Sequence, residues 1–207
     1  MSDEIVREYL NKDEPANNLM LLVNPFTKLS GWPALALGLL VVAATLVVEM
    51  RGGIRYDGIM DVHVGRGVAL EPLADWLIVA LLFLIGGLIW APKTQSFMDY
   101  FGMSALGRLP FVLVGLIWTV PALRDPVMAL ASVNPTQIVS YLLDSGVLPW
   151  IVGGSIITML IMTWGLFLNF FALREASGMK TGRAIGVYVG VIVVGEIISK
   201  AVACAVT

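Results

Sequence analysis

Twenty consecutive uncharged residues, Leu29 to Val48, lie between Lys28 and Glu49. A bilayer core of about 30 Å is crossed by about 20 helical residues at about 1.5 Å each, so this run predicts a membrane-spanning helix. Four more runs follow. Trp76 to Ala91 lies between Asp75 and Lys93, and Leu109 to Leu123 lies between Arg108 and Arg124. The latter holds only fifteen residues; Gly102 to Gly107 can lengthen it, and both arginines can snorkel to the interfaces. Ser145 to Leu173 is the longest uncharged run, and Ala184 to about Ala203 is interrupted by Glu196 and Lys200. The expected fold is an all-α, polytopic transmembrane helical bundle of five spans, at about 29–48, 76–91, 106–123, 148–172 and 184–203. Residues 1–28 read as a polar N-terminal tail and interfacial segment, and residues 29–204 as one five-helix transmembrane domain. Composition closes off the alternatives. Only 14% of the 207 residues are charged, against about 25% in soluble domains, and so apolar a chain is not disordered.

Orientation follows from Lys and Arg in the short loops. With the N-terminus cytoplasmic, the inner segments carry eight such residues and the outer segments five. The acidic, polar N-terminus does not read as a cleavable signal peptide. A net charge of −2 supplies no basic surface for nucleic acid. Cys204 is the only cysteine, which removes an intramolecular disulfide and a cysteine-built zinc site. The tryptophans fall mostly near span ends, as interfacial anchors do.

The connections differ in character. Residues 19–30 are apolar, broken by Pro25, and expected to lie along the inner face. Met60 to Val64 alternates like a strand, with Gly65-Arg66-Gly67 as the turn of a surface hairpin. Asn134-Pro135 reads as an N-cap and first helical residue, starting a short helix to about Leu143 that Gly146 ends. Gly178 is placed to terminate span four.

Glu196 and Lys200 are the most informative pair, because an ionisable residue inside a span is costly. Glu four residues before Lys is the favourable intrahelical order. On a helical wheel Lys200 falls on the angle of Gly182, with Glu196 about 40° to one side and Gly186 and Gly190 about 40° and 80° to the other. Gly182, Gly186 and Gly190 form a small-xxx-small stripe that lets another helix approach closely. Packing inside the chain is its expected use and homodimerisation the alternative, so the charged pair is expected on the packed face. Two readings stand. With Asn169, the pair makes a polar site inside the bundle; otherwise it is a local ion pair near the outer interface, with Asn169 as helix glue.

Glu49, beside Arg51, reads as an interface-level charge. Asp57, Asp61 and His63, with Glu71 nearby, are too few converging ligands for a metal and read as a solvated hairpin face. The single histidine lies in a loop, so Gly153-Gly154-Ser155 reads as a packing element and not as a nucleophile loop. No phosphate loop with a lysine is present. No cofactor is expected, and the chain reads as a non-enzyme. Five spans do not divide into two equal repeats of the transporter kind, and Gly86-Gly87 and Gly153-Gly154 lack an accompanying intramembrane charge.

The junction Trp164-Gly165 through Leu173-Arg174-Glu175-Ala176-Ser177-Gly178-Met179-Lys180-Thr181-Gly182-Arg183-Ala184 resembles the fourth-to-fifth-helix junction of the Yip domain family. Asn24-Pro25-Phe26 is similar to the family's segment before the first span. So is Ser96-Phe97-Met98-Asp99-Tyr100-Phe101 through Leu109-Pro110 on the approach to the third. The resemblance implies a five-helix plan with a cytosolic N-terminus and a membrane adaptor or scaffold. Eukaryotic members bind Rab-type GTPases, but this chain lacks their Asp-Leu-Tyr-Gly-Pro motif. Its likeness is to prokaryotic members, which implies a bacterial inner (cytoplasmic) membrane. Lys93 to Arg108 and Arg174, Lys180 and Arg183 are the expected cytoplasmic contacts. Membrane lipid, a protein partner or a second copy are the expected partners. A transport or channel component built around Glu196, Lys200 and Asn169 is the competing reading.

Overall fold

The structure, a computed structural model, describes residues 24–52, 54–57, 61–64, 71–92, 96–130 and 132–206. The tail up to residue 23, Met60, the Gly65-Arg66-Gly67 turn and Lys93 lie outside the described residues, as do the side chains of Asp57, Asp61, His63 and Glu71. In chain order come α1 (Gly31–Gly52), β1 (Ile54–Asp57), β2 (Asp61–Val64), α2 (Glu71–Trp90) and α3 (Phe97–Leu106). Then follow α4 (Leu109–Trp118), α5 (Pro121–Leu130), α6 (Ile138–Asp144), α7 (Leu148–Ser177) and α8 (Thr181–Val206). Five stretches are long and apolar enough to cross a membrane: Gly31–Arg51, Leu73–Trp90, Phe97–Trp118, Leu148–Ser177 and Thr181–Ile198. The five-span helical bundle stands, with one antiparallel hairpin added between α1 and α2.

The third crossing differs from the expected 106–123. It consists of α3 and α4 end to end, starts at Phe97 and finishes at Trp118, and is the most buried of the five. Ser96 caps its start by accepting the Met98 N–H. Pro110 breaks it, because proline has no N–H to give the carbonyl four residues back and its ring crowds that carbonyl. Residues 119–123 turn away from the span, since Pro121 opens the separate helix α5.

The bundle is assembled around this broken span. Helix α1 lies along α3 and α4, α7 packs on both from another side, and α8 packs mainly on α2. Contact between α1 and α3 is close because glycines meet there. A Cβ on Gly102 would stand 2.5 Å from the Leu35 nitrogen, and one on Gly38 would stand 2.6 Å from the Ala105 Cβ. The buried face of α1 runs Ala34, Gly38, Val42, Thr45, Glu49, a helical spacing of small residues that ends in a carboxylate. Trp76 Nε1 donates to Ser104 Oγ at 3.2 Å, and Trp118 Nε1 donates to Thr158 Oγ1 at 3.2 Å. These two tryptophans are buried and act as interhelical ties, whereas Trp32, Trp90 and Trp150 are exposed.

One end of the bundle gathers four helix termini. Asn24 Nδ2 donates to Glu175 Oε1 at 3.0 Å, and Arg183 Nη1 donates to the Trp90 carbonyl at 3.2 Å. The start of α1, the ends of α2 and α7 and the start of α8 are thereby neighbours. Phe26 is buried in the core, so the segment before α1 plugs into the bundle where a surface position was expected. Asp99 Oδ1 accepts the Gly31 N–H at 2.6 Å, placing a carboxylate on the start of α1. Asp99→Ala should therefore cost about 1–3 kcal/mol, read as a lower thermal unfolding midpoint in detergent. A midpoint equal to wild type would contradict that role.

Gly178 terminates α7 in the left-handed conformation (φ 61°), as its position predicts. Asn134 Oδ1 accepts the Thr136 N–H at 3.1 Å, and α6 ends before Gly146 (φ 67°). A hairpin is present: Asp61–Val64 pairs antiparallel with Ile54–Asp57, with Arg55 opposite His63.

Candidate functional site

Span three breaks at Gly107-Arg108, and the break carries a charge. Arg108 is the twelfth of the 22 residues in that crossing and is only 7% exposed. Its position corrects two expectations, since it neither snorkels to an interface nor belongs to a cytoplasmic contact loop. The carboxylates of Asp75 and Glu49 act electrostatically on its guanidinium. Both are buried, Asp75 at 4% and Glu49 at 2% exposure. Glu49, in the last turn of its span, therefore faces into the bundle, whereas Arg51 beside it remains exposed. The reason is helical phase: Glu49 continues the buried face of α1, while Arg51 is turned about 200° from it.

Asn169 completes the break from α7. Its Nδ2 donates to the Gly107 carbonyl at 3.2 Å and to the Gly165 carbonyl at 3.0 Å. The close fit also needs Gly107, where a Cβ would stand 2.7 Å from Asn169 Oδ1. A partly open cavity of about 50 Å³ lies beside these groups, lined on its polar side by Asp75, Arg108, Asn169, Tyr188 and Glu196. Phe83, Phe111 and Val191 form part of its apolar wall. At about 10–15 Å³ each, three to five water-sized molecules fill it. Tyr188 Oη donates to the Leu166 carbonyl at 2.8 Å, and its ring meets Phe83 and Phe170 at centroid distances of 6.3 and 5.7 Å.

Of the expected polar site, Glu196 and Asn169 do line one cavity, while Lys200 is exposed and does not line it. The glycine stripe behaves unlike the expectation. A Cβ on Gly182, Gly186 or Gly190 would meet nothing within 4 Å, so among the described residues the stripe packs on no other helix. Helix α8 buries Ala184, Tyr188, Val191 and Gly195 instead, a face about 170° around the wheel from the glycines. The Tyr188 hydroxyl, which reaches across to α7, helps set that rotation. At the end where α2, α7 and α8 meet, Arg174 pairs with Glu175 at 2.6 Å and lies 5.0 Å from the Phe171 ring centre. Arg183 donates to the end of α2, and Lys180 is exposed.

Sequence reasoning missed Arg108, Asp75 and Glu49 as a cluster. The signal was Gly107-Arg108-Leu109-Pro110, a charge set among helix breakers inside an apolar stretch. A family model described as the Yip1 domain matches residues 19–199. The chain belongs to the Yip1 domain family. The match covers every span through most of α8, including the broken third one, and bears out the resemblance read from the loop motifs. No curated protein and no solved structure matches this Yip1-domain chain significantly. It is an integral membrane protein of that family.

Proposed function

We propose that this Yip1-family chain is a non-catalytic membrane scaffold or adaptor whose α8 receives another transmembrane helix. One observation carries the reading: Gly182, Gly186 and Gly190 form an open stripe on the least buried of the five spans, and none of the described residues covers it. Without a hydrophobic drive between helices in lipid, close backbone approach over small residues is what favours association. A second copy of the chain is the simplest occupant, because each copy presents the same stripe. Exposed Lys180 and partly exposed Arg174 at the start of this face supply a basic rim toward acidic lipid or a cytosolic partner.

The test is oligomeric state. In mild detergent and in vesicles, wild type should show a dimer by native mass spectrometry. Gly186→Leu together with Gly190→Leu should shift the population to monomer with unchanged helicity, because both positions face open space. A monomeric wild type without a second polypeptide at fixed stoichiometry would sink the reading. A transport or channel component is favoured by a different observation, the broken span with Arg108 midway along it, since discontinuous helices commonly build transport sites.

A further inference from the structure

The connection between α4 and α7 lies at a definite depth. Counting back along α7 from Arg174, the basic residue of its last turn, Gly154 is twenty residues away. That is about 30 Å of helix, the thickness of a bilayer core. Trp118, the last residue of α4, ties to Thr158 one turn inside that level. Leu123 of α5 stands 3.3 Å from where a Cβ on Gly154 would be. The connection therefore begins at the edge of the hydrocarbon, and Trp150, exposed in the first turn of α7, marks the interface beyond it.

Within the connection the two helices differ. Helix α5 spends its apolar side on the protein, since Leu123 and Val127 pack against Phe111, Val114 and Trp118. Helix α6 does not. Its only substantial packing partner among the described residues is the turn Pro135–Gln137 that precedes it, and none of its residues is buried. Yet Ile138, Val139, Leu142 and Leu143 fall within about 140° of its wheel, with Ser140 and Asp144 on the other side. Val139 is 69% exposed and Leu143 66%, one turn apart on that face. So short a helix is marginal in water by itself, and an apolar face of this kind calls for an apolar medium against it.

Charge identifies the medium. Between Asp125 and Arg174 the only charged residue is Asp144, and Arg124 is engaged by Asp125 at 2.8 Å. No lysine or arginine is placed on α6 to draw acidic headgroups, so the attraction rests on apolar contact. At the hydrocarbon edge, with both ends of the connection fixed to spans, the apolar phase within reach of α6 is the acyl boundary of the same bilayer.

We propose that α6 lies in the membrane plane with Ile138, Val139, Leu142 and Leu143 sunk into the glycerol and acyl boundary of the leaflet at this end of the bundle, held by lipid irrespective of headgroup charge. This seat is independent of assembly through the glycine stripe on α8.

Spin labels at Val139→Cys, Leu143→Cys and Ser140→Cys, each in the full chain carrying Cys204→Ser, test this in phosphatidylcholine vesicles. Oxygen partitions into lipid and a nickel chelate stays in water, so power saturation with each reads the medium at the label. Oxygen should be the more effective relaxer at the Val139 and Leu143 positions, and the nickel chelate at Ser140. Exchanging part of the phosphatidylcholine for phosphatidylglycerol should leave all three ratios unchanged. The three side chains are exposed, so cysteine there spares the packed bundle, which an unchanged circular-dichroism spectrum checks. Nickel access at both apolar positions would put α6 in water and overturn the proposal. Exclusion of both reagents there would overturn it equally, because a second copy or another protein would then cover the face. Ratios that climb with phosphatidylglycerol would assign the seat to headgroup charge and overturn it too.

Discussion

Arg108→Leu should be the most damaging single substitution in the described bundle. It leaves Asp75 and Glu49, at 4% and 2% exposure, as buried carboxylates without the guanidinium that acts with them. Removing one partner of a buried charge cluster costs about 3–5 kcal/mol, a large share of the about 5–15 kcal/mol that holds an ordinary domain folded. The measurement is the yield of monodisperse protein from membranes, together with its unfolding midpoint. Both should fall steeply. The discriminating variant is the triple substitution Arg108→Leu, Glu49→Gln, Asp75→Asn. It removes the charges together, and an apolar or neutral replacement of a whole buried ion cluster is commonly neutral or stabilising. Recovery of the midpoint in the triple variant, with its loss in the single one, is the expected pattern. Arg108→Leu behaving as wild type would mean that the guanidinium carries no structural charge balance. A triple variant as unstable as the single one would place the cost in packing and not in charge.

What was legible in the sequence is the part governed by the bilayer. Uncharged runs long enough to cross it locate five spans, and the loop punctuation at Gly178, Asn134 and Gly146 acts as its chemistry requires. Legibility fails where two segments combine. In sequence Arg108 reads as the end of a fifteen-residue span, because a charge ordinarily marks an interface. The shortness of that run was itself the clue, since moving the span's start to Phe97 gives it full length and places Arg108 inside. Glu49 beside Arg51 likewise reads as an exposed charge when only its sequence neighbour is considered. Helical phase from Ala34 through Gly38, Val42 and Thr45 would have put it on the packed face. The glycine stripe failed for a complementary reason. Small residues permit close packing but do not select which of several apolar faces packs, so Gly182, Gly186 and Gly190 were indistinguishable in sequence from Gly38 and Gly102.

The last distinction yields the second large effect. Gly102→Val should destabilise the bundle strongly, whereas Gly186→Ala should leave it intact. A Cβ on Gly102 would lie 2.5 Å from the Leu35 nitrogen, 2.7 Å from the Ala34 carbonyl carbon and 2.8 Å from the Leu35 Cα. All three are backbone atoms, so no rotamer change relieves the clash and α1 must move away from α3. Separation also loosens the seat of Gly38, whose Cβ position lies 2.7 Å from the Gly102 carbonyl, and pulls on the Asp99 cap at Gly31. Overpacking of this kind costs about 1–3 kcal/mol where side chains can yield, and a backbone obstacle puts Gly102→Val at or above the upper figure. At Gly186 nothing lies within 4 Å, and replacing a helical glycine by alanine is favourable by about 0.5–1 kcal/mol in water. Unfolding midpoints of the two variants in one detergent should therefore move in opposite directions or differ by the whole Gly102 penalty. If Gly102→Val unfolds like wild type, α1 and α3 do not meet as closely as described. If Gly186→Ala is the damaging change, the glycine stripe is packed after all, and the partner that covers it is part of the folded unit.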